Sequence, residues 1–522
     1  FDTSTAVVVG SAAPINTGGL VGVVHSGVTT SIEVVSLPYY TFLDSTGTTD
    51  LVIGAKTVAH ANLVSVAVAN VATVYPNQLF LENVVGDTAV GLGDATLQST
   101  IDTLGPNITL TEALRVSAIE QSGTSGGDGL RQTLAATTGA LMDIGTNLLA
   151  SINNITIHEI RDTTTPEILS ATFNYSTGII IVTAAETIDA TPANEIVTNL
   201  IHVADTTGGN NVNLAASTVT AVDGVSFTLT LTDLNRVQSQ LLSDEEGGNG
   251  VAVKIDFSAN AVRDIALNRN PGSFSITATE IRDSIRPLIS SATIDYSHGF
   301  IVLEFDEIVQ LNPQFIFTYN TPFSFTAAKG STVVQASSSS SCILKYVPTS
   351  TQIHAQCPWG ASVDDAGALD VDGQNPGPGP NSFQKILAVD LSKFSIADVT
   401  GTSHFLLTDL TVPASIGVRA TASAGHLQST TGILTPYINI SLTEAQRVSA
   451  LAISQTPGGD GNHPLVLDIS EGAVKDFGEN DIKAVNNVVF TEIADTIPPS
   501  IEFVSLNLTQ GLMTIRASET ID

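Results

Sequence analysis

Basic residues are scarce in this chain: 19 Lys and Arg stand against 51 Asp and Glu, leaving a formal net charge of −32. Nucleic acids and anionic membrane surfaces repel such a chain, which argues against both as partners. The charge keeps the protein soluble, and divalent cations are its natural counterparts. Apolar runs are short as well. No stretch of about 18 uninterrupted apolar residues occurs, so no membrane span is expected. Cysteine appears only as Cys342 and Cys357, which excludes a disulfide-rich scaffold. The nine histidines (His25, His60, His158, His202, His298, His354, His404, His426 and His463) are scattered, and none forms a closely spaced zinc-type pair. No Gly-rich loop ends in Lys, so nucleotide binding has no support. Aromatics make up 5% of the chain, with one Trp, so stacking platforms for sugars are few.

Thr, Ser, Val, Ile, Gly and Asn fill the space left by these absences, and that mixture favours strands and turns. With 522 residues, several domains are expected. Residue 1 is Phe, which points to a processed chain or to a piece of a longer one.

Internal repeats organise the chain. "NITLTEALRVSAIEQSGTSGGDG" from Asn107 returns as "NISLTEAQRVSALAISQTPGGDG" from Asn439 and, more distantly, as "TLTLTDLNRVQSQLLSDEEGGNG" from Thr228. In each, an Arg (Arg115, Arg236, Arg447) precedes a Gly-Gly pair by one constant spacing. The alternation of TLTLT predicts a half-buried strand. Thr109 with Glu112, and Ser441 with Glu444, fit the capping box of a short helix. The glycines predict a tight turn.

A second element opens each unit: "RDTTTPEILSATFNYSTGIIIVTAAETID" (161–189), its relative at 282–310, and "ADTIPPSIEFVSLNLTQGLMTIRASETID" (494–522). Two alternating apolar runs around Gly178, Gly299 or Gly511 predict a β-hairpin. Arg161 to Arg282 gives a period of 121 residues, about the size of an immunoglobulin-like sandwich. A third shared piece links "VYPNQLFLENVVGDTAV" from Val74 with "VDLSKFSIADVTGTSHF" from Val389, and the strands 251–268 and 465–480 close the unit.

Taken in order, an initial Pro, VTxxETID, a strand, TLTLT, AVKDxxxN and DTxPP, these motifs resemble the tandem immunoglobulin-like domains of bacterial and algal surface proteins, including S-layer-type and adhesin-type modules. The resemblance covers most of 161–493 and parts of 70–160. It implies an extracellular or cell-surface, strand-rich stalk or fibre without catalysis. The Arg-to-Gly-Gly element is more elaborate than the usual family turn.

The expected fold class is therefore all-β: tandem immunoglobulin-like β-sandwich modules with a C-terminal orphan β-hairpin. The modules are placed at 1–160 (with extra N-terminal strands), 161–282, 283–378 (shortened, carrying the Cys pair) and 379–493, the last lacking a first hairpin, followed by the incomplete unit 494–522, a β-hairpin completed by a neighbouring subunit or by missing sequence. In the shortened module, "SSCILKYVPTSTQIHAQCPWG" stands where TLTLT would be, and GQNPGPGPN (373–381) reads as a stiff linker. A rival division makes 283–493 one module carrying an insertion of about 90 residues beyond the 121-residue period.

Five N-glycosylation sequons start at Asn107, Asn154, Asn174, Asn439 and Asn507. Asn174 and Asn507 occupy one repeat position, and Asn107 and Asn439 another, which favours N-linked glycans over chance. Cys342 and Cys357 are expected to form a disulfide in a secreted chain. "GTSGG" (123–127) matches a hydrolase nucleophile elbow, but its sister turns lack the Ser, so it reads as a turn residue and no enzyme is expected. Calcium is the better ligand expectation, through Asp364, Asp365, Asp370 and Asp372 of "DDAGALDVDG", with Asp244, Glu245 and Glu246, and with Asp162, Asp283 and Asp495 where units join. The competing account is that Asp caps turns through local hydrogen bonds.

The function these readings support is a structural subunit of a glycosylated extracellular filament, a head-to-tail homopolymer. The alternative is a surface adhesin that binds glycan or protein, with Trp359, Phe323 and Phe325 as its one aromatic cluster. Calcium held in the acidic loops predicts a melting temperature lowered by a strong chelator; an unchanged value removes the cation reading.

Overall fold

A computed structural model of the chain describes residues 74–521, apart from short gaps (87, 99–103, 206–210, 249–250, 312–313, 336–340, 350–351, 381, 387, 400–403) and the longer stretches 320–330, 358–367, 374–379 and 408–433. Within the first 73 residues it describes two strand pairs, Leu20–His25 with Val28–Glu33 and Leu51–Ile53 with Lys56–Val58. The chain divides into two compact units, Phe1–Arg161 and Asp162–Asp522. The fold is mostly β, built from several sheets, two of them curled half-barrels.

The first complete module lies in the second unit. Its hairpin is β7 (Ile168–Asn174) and β8 (Ile179–Ile188), followed by β9 (Ile201–Ala204), β10 (Asn211–Asn213), β11 (Thr218–Val219), β12 (Gly224–Thr230), helix α2 (Asp233–Gln240), β13 (Lys254–Phe257) and β14 (Ser273–Ile281). The sheet runs β10-β9-β13-β14-β7-β8-β12-β11. The hairpin therefore sits in the middle: β7 pairs parallel with β14, and β8 pairs antiparallel with β12. Its alternating apolar residues point into one core, with Phe173, Tyr175, Ile180, Val182 and Ile188 fully buried alongside Leu229, Ile255 and Phe257.

The same arrangement recurs from 283 to 493. Strands β15 (Ile289–Asp295), β16 (Phe300–Phe305), β17 (Phe394–Asp398), β18 (His404–Leu406), β19 (Tyr437–Ser441), β20 (Leu465–Ile469) and β21 (Val485–Ile493), with helix α3 (Glu444–Ala452), form a sheet ordered β18-β17-β20-β21-β15-β16-β19. This corrects the expected split at 378/379. Residues 379–493 do not lack a hairpin; theirs is β15–β16, and the counterpart of TLTLT is β19, not the Cys-bearing segment. Strands between Gln314 and Ile386 form a separate six-stranded sheet inserted after β16. The reason is register: β15 pairs parallel with β21 through Ala292–Phe490, as β7 does with β14 through Ala171–Ala278. In the insertion, Cys342 and Cys357 are joined by a disulfide and lie in its core with Phe315, Phe317 and Ile353. Most of the expected linker 373–381 lies outside the described residues.

The first unit contains β1 (Leu79–Asn83), β2 (Ala89–Gly91), β3 (Thr96–Leu97), β4 (Ile108–Thr109), helix α1 (Glu112–Glu120), β5 (Gln132–Ala136) and β6 (Ile152–Thr156). One sheet runs β2-β1-β5-β6, and β3 pairs with β4. Among the described residues, the last two strands, β22 (Ile501–Asn507) and β23 (Leu512–Ala517), pair only with each other.

The helices start two residues later than their sequence suggests. Thr111, Thr232 and Thr443 are the N-caps, accepting hydrogen bonds from the amides of Leu114, Asn235 and Gln446. Thr109 and Ser441 remain in strands, because the alternating pattern continues through them. Glu112 and Glu444 are thereby freed to bind Arg115 and Arg447 one turn on. After each helix the chain folds back so tightly that a Cβ on Gly127, Gly248 or Gly459 would collide with the carbonyl oxygens of Ser122, Ser243 or Ser454. We expect Gly459→Ala to destabilise its module by about 1–3 kcal/mol, as overpacking does. Gly461→Ala, with φ +69° and open space around it, should cost about 1 kcal/mol; chemical denaturation of the two variants checks the ranking.

Candidate functional site at the module junctions

Two junctions within the second unit are organised by the Arg of the helical element. Arg236 is anchored by Asp233 one turn back on α2 and donates to the carbonyl oxygen of Tyr175. Its guanidinium then reaches the start of the next module, with Asp283 and Glu307 each at 2.7 Å. The side chain is 7% exposed. Burial by itself would lower the pKa of Arg236, but the charges of Asp233, Glu307 and Asp283 outweigh it and raise it. Arg447 repeats the geometry: it donates to the carbonyl of Tyr296, to Asp495 at 2.6 Å and to Glu519 at 3.1 Å, while Glu444 holds it from its own helix. The hydrogen bond from Arg447 brings the Glu444 carboxyl down to about 2. Arg236 and Arg447 therefore grip repeat-equivalent Asp and Glu residues of the hairpin that follows.

A third carboxylate completes the cluster. Oxygens of Asp283, Glu307 and Asp476 lie within 4.8 Å of one another, as do those of the equivalent residues Asp162, Glu186 and Asp264. The third Asp comes from the AVKDxxxN motif, where Asn480 donates to Asp476 and also to the carbonyl of Asp283; Asn268 does the same for Asp264 and Asp162. Motif AVKDxxxN is thus a tether between the end of a module and its own first residues. Burial, with Asp476 nearby, pushes Glu307 up to about 8 despite Arg236, and burial pushes Asp476 up to about 7. Three converging carboxylates are a donor set suited to a hard divalent cation, and Arg236 competes for two of them.

The sequence singled out Asp162, Asp283 and Asp495 but not Glu186, Glu307 and Glu519, nor Asp264 and Asp476. The signal for these was the repetition of ETID and of AVKD. Of the acidic loop, Asp370 accepts from the amide of Gly373 and Asp372 from that of Thr332, while Asp364 and Asp365 lie outside the described residues. Trp359, Phe323 and Phe325 lie outside them too. Among the sequons, Asn107, Asn154 and Asn507 are exposed, and Asn174 and Asn439 are half-buried on β7 and β19. Asn154 has φ +61°, as its repeat equivalents Ser275 and Asn487 have φ +64° and +61°. Asn tolerates this left-handed backbone, so a bulge position accounts for that residue without a glycan. Ser125 of GTSGG lies in the turn after α1.

No known protein family and no curated protein matches the chain. Among solved structures, one titled "Biofilm associated protein - BSP domain" aligns over 81% of this chain and 89% of its own, at 9% identity and a TM-score of 0.10. Among the described residues, no helix is long and apolar enough to cross a membrane.

The raised carboxyls set a pH window. Their folded pKa values exceed the ordinary 4.5 and 3.8, so their contribution to stability is complete below about pH 4 and is lost as pH rises through 7 to 8. We expect Glu307→Gln to remove part of this loss. The melting-temperature difference, variant minus wild type, should rise between about pH 5 and about pH 8.5; a flat difference contradicts the assignment.

Proposed function

We propose that the protein is a structural subunit of an extracellular, glycosylated filament, assembled head to tail from immunoglobulin-like modules that share β-strands. One observation carries this reading. The apolar face of the β22–β23 hairpin is exposed where both of its repeat equivalents are buried. Phe173 and Ile294 are 0% exposed, and Leu506 is 53%; Ile180 and Ile301 are 0%, and Met513 is 55%; Val182 and Leu303 are 0%, and Ile515 is 56%.

Each such side chain gains roughly 1.5–3 kcal/mol on full burial, and a lone two-stranded hairpin is marginal in water. Both of its edges also carry unpaired backbone groups, a template for another strand. In the complete modules one edge takes a parallel strand and the other an antiparallel one. A partner that supplies both in another molecule makes a heterologous contact, and heterologous contacts propagate as open filaments. The acidic surface keeps the subunits soluble before assembly. Repeat-matched sequons and the disulfide of the insertion fit an oxidising, extracellular setting.

Removal of residues 494–522 should leave soluble short species, and Met513→Asp in the full chain should do the same by placing a charge on the shared face. Electron microscopy of wild type and both variants is the test; normal filaments from the deletion refute strand sharing.

A further inference from the structure

In both complete modules the first and last strands are neighbours and run parallel. β7 meets β14 over Ala171–Asn174 and Ala278–Ile281, and β15 meets β21 over Ala292–Asp295 and Phe490–Ile493. This pair is therefore where the two ends of a module come together. A pull along the chain draws the N-terminal end of β7 one way and the C-terminal end of β14 the other. Parallel strands loaded in this way slide lengthwise, and their evenly spaced hydrogen bonds carry the load together. An antiparallel pair pulled from its open end, such as β7 with β8, parts one bond at a time.

Side chains fasten the same two ends. The amide of Tyr175 donates to the carbonyl oxygen of Ile281, and its hydroxyl donates to Glu280. The Ser176 hydroxyl accepts from the amide of Ser284 and donates to the carbonyl of Arg282. Tyr296 and Ser297 repeat each of these contacts with Ile493, Glu492, Thr496 and Ala494. The glutamates are held in turn by the amides of Val253 and Leu465. Arg236 and Arg447 add a further tie, each bridging the carbonyl of its tyrosine to an Asp just past the last strand. Hydrogen bonds to ionised groups are the strong ones, and both tyrosines are fully buried, away from competing water.

We propose that this pair is a load-bearing clamp: each complete module resists a pull along the chain through its parallel terminal strands and the Tyr–Glu and Ser ties across them. The inference goes beyond the filament reading and holds whichever surface joins the subunits. Everything between the two strands lies outside the path of the force until the clamp yields, the inserted sheet and its disulfide included. Ile281 lies 113 residues after Ile168, and Ile493 lies 204 after Ile289. Yielding therefore frees up to about 410 Å of chain from the first module. The second frees up to about 680 Å, because the Cys342–Cys357 disulfide holds back the 15 residues that it spans.

The test is single-molecule pulling on the full chain, with handles on two introduced cysteines and the native disulfide kept oxidised. Thr165→Cys with Ile285→Cys pulls the first complete module end to end. Thr165→Cys with Asn194→Cys pulls the β7–β8 hairpin from its open end. At one loading rate the end-to-end pull should need about twofold more force or greater, and should yield in one abrupt step. Forced unfolding reads the rate of yielding rather than equilibrium stability. Tyr175→Phe should therefore lower the end-to-end force by about a fifth or more and leave the hairpin-opening force unchanged. Glu280→Gln, which keeps an acceptor in place but removes its charge, should act in the same direction and serves if Tyr175→Phe does not fold. Equal forces in the two geometries, or gradual lengthening in the end-to-end pull, overturn the clamp. A drop of equal size in both geometries on Tyr175→Phe or Glu280→Gln overturns the part given to the Tyr–Glu tie.

Discussion

The architecture depends on one constraint: the hairpin that opens each module has an apolar face that no strand of the hairpin itself can cover. Its cover comes from two places far apart in sequence. For β7–β8 these are β12, some 40 residues on, and β14, some 100 residues on. The sheet therefore closes only when the whole module is present, and the module tolerates long excursions between its strands. The inserted six-stranded sheet shows this tolerance. It adds its own core and disulfide between β16 and β17 without changing the order of the strands around it.

The junction chemistry solves a second problem, how one module is aimed at the next. A buried guanidinium that faces three carboxylates gives little net stability, because desolvation offsets much of the attraction. Removal of one partner is nevertheless costly, since it leaves a charge buried and unpaired. Arg236 meets Asp283 and Glu307 through separate N–H groups while anchored to Asp233 and to the carbonyl of Tyr175. Its five fixed donors thus tie the end of one hairpin to the beginning of the next. The arrangement fixes direction along the chain, and its repetition at Arg447 carries that direction onto β22 and β23.

Much of this was legible in the sequence, because repetition is visible without structure. The hairpins, their Gly turns, the short helix and its closing glycines all follow from alternation and spacing. The role of the Arg did not, since its partners Asp283 and Glu307 lie 47 and 71 residues away in the numbering, and Asp476 of the same cluster lies 240 away. Two expectations failed for physical reasons. The helix cap moved from Thr109 to Thr111 because a strand pattern outlasts a capping motif. The split at 378 failed because local resemblance cannot tell a short module from an insertion. Only the pairing of β15 with β21 decides that, and it is a contact between residues about 200 positions apart. The mixed status of the sequons has the same origin: Asn154 satisfies a left-handed bulge, a backbone demand that a three-residue motif does not reveal.

The central claim is that the exposed face of β22–β23 is covered by strands of another copy. Amide hydrogen exchange measured across a dilution series tests it most directly. The account predicts that amides of 501–517 gain protection as protein concentration rises, while the complete modules stay protected throughout. Protection of 501–517 that is absent at every concentration, or present and unchanged at the highest dilution, would contradict it.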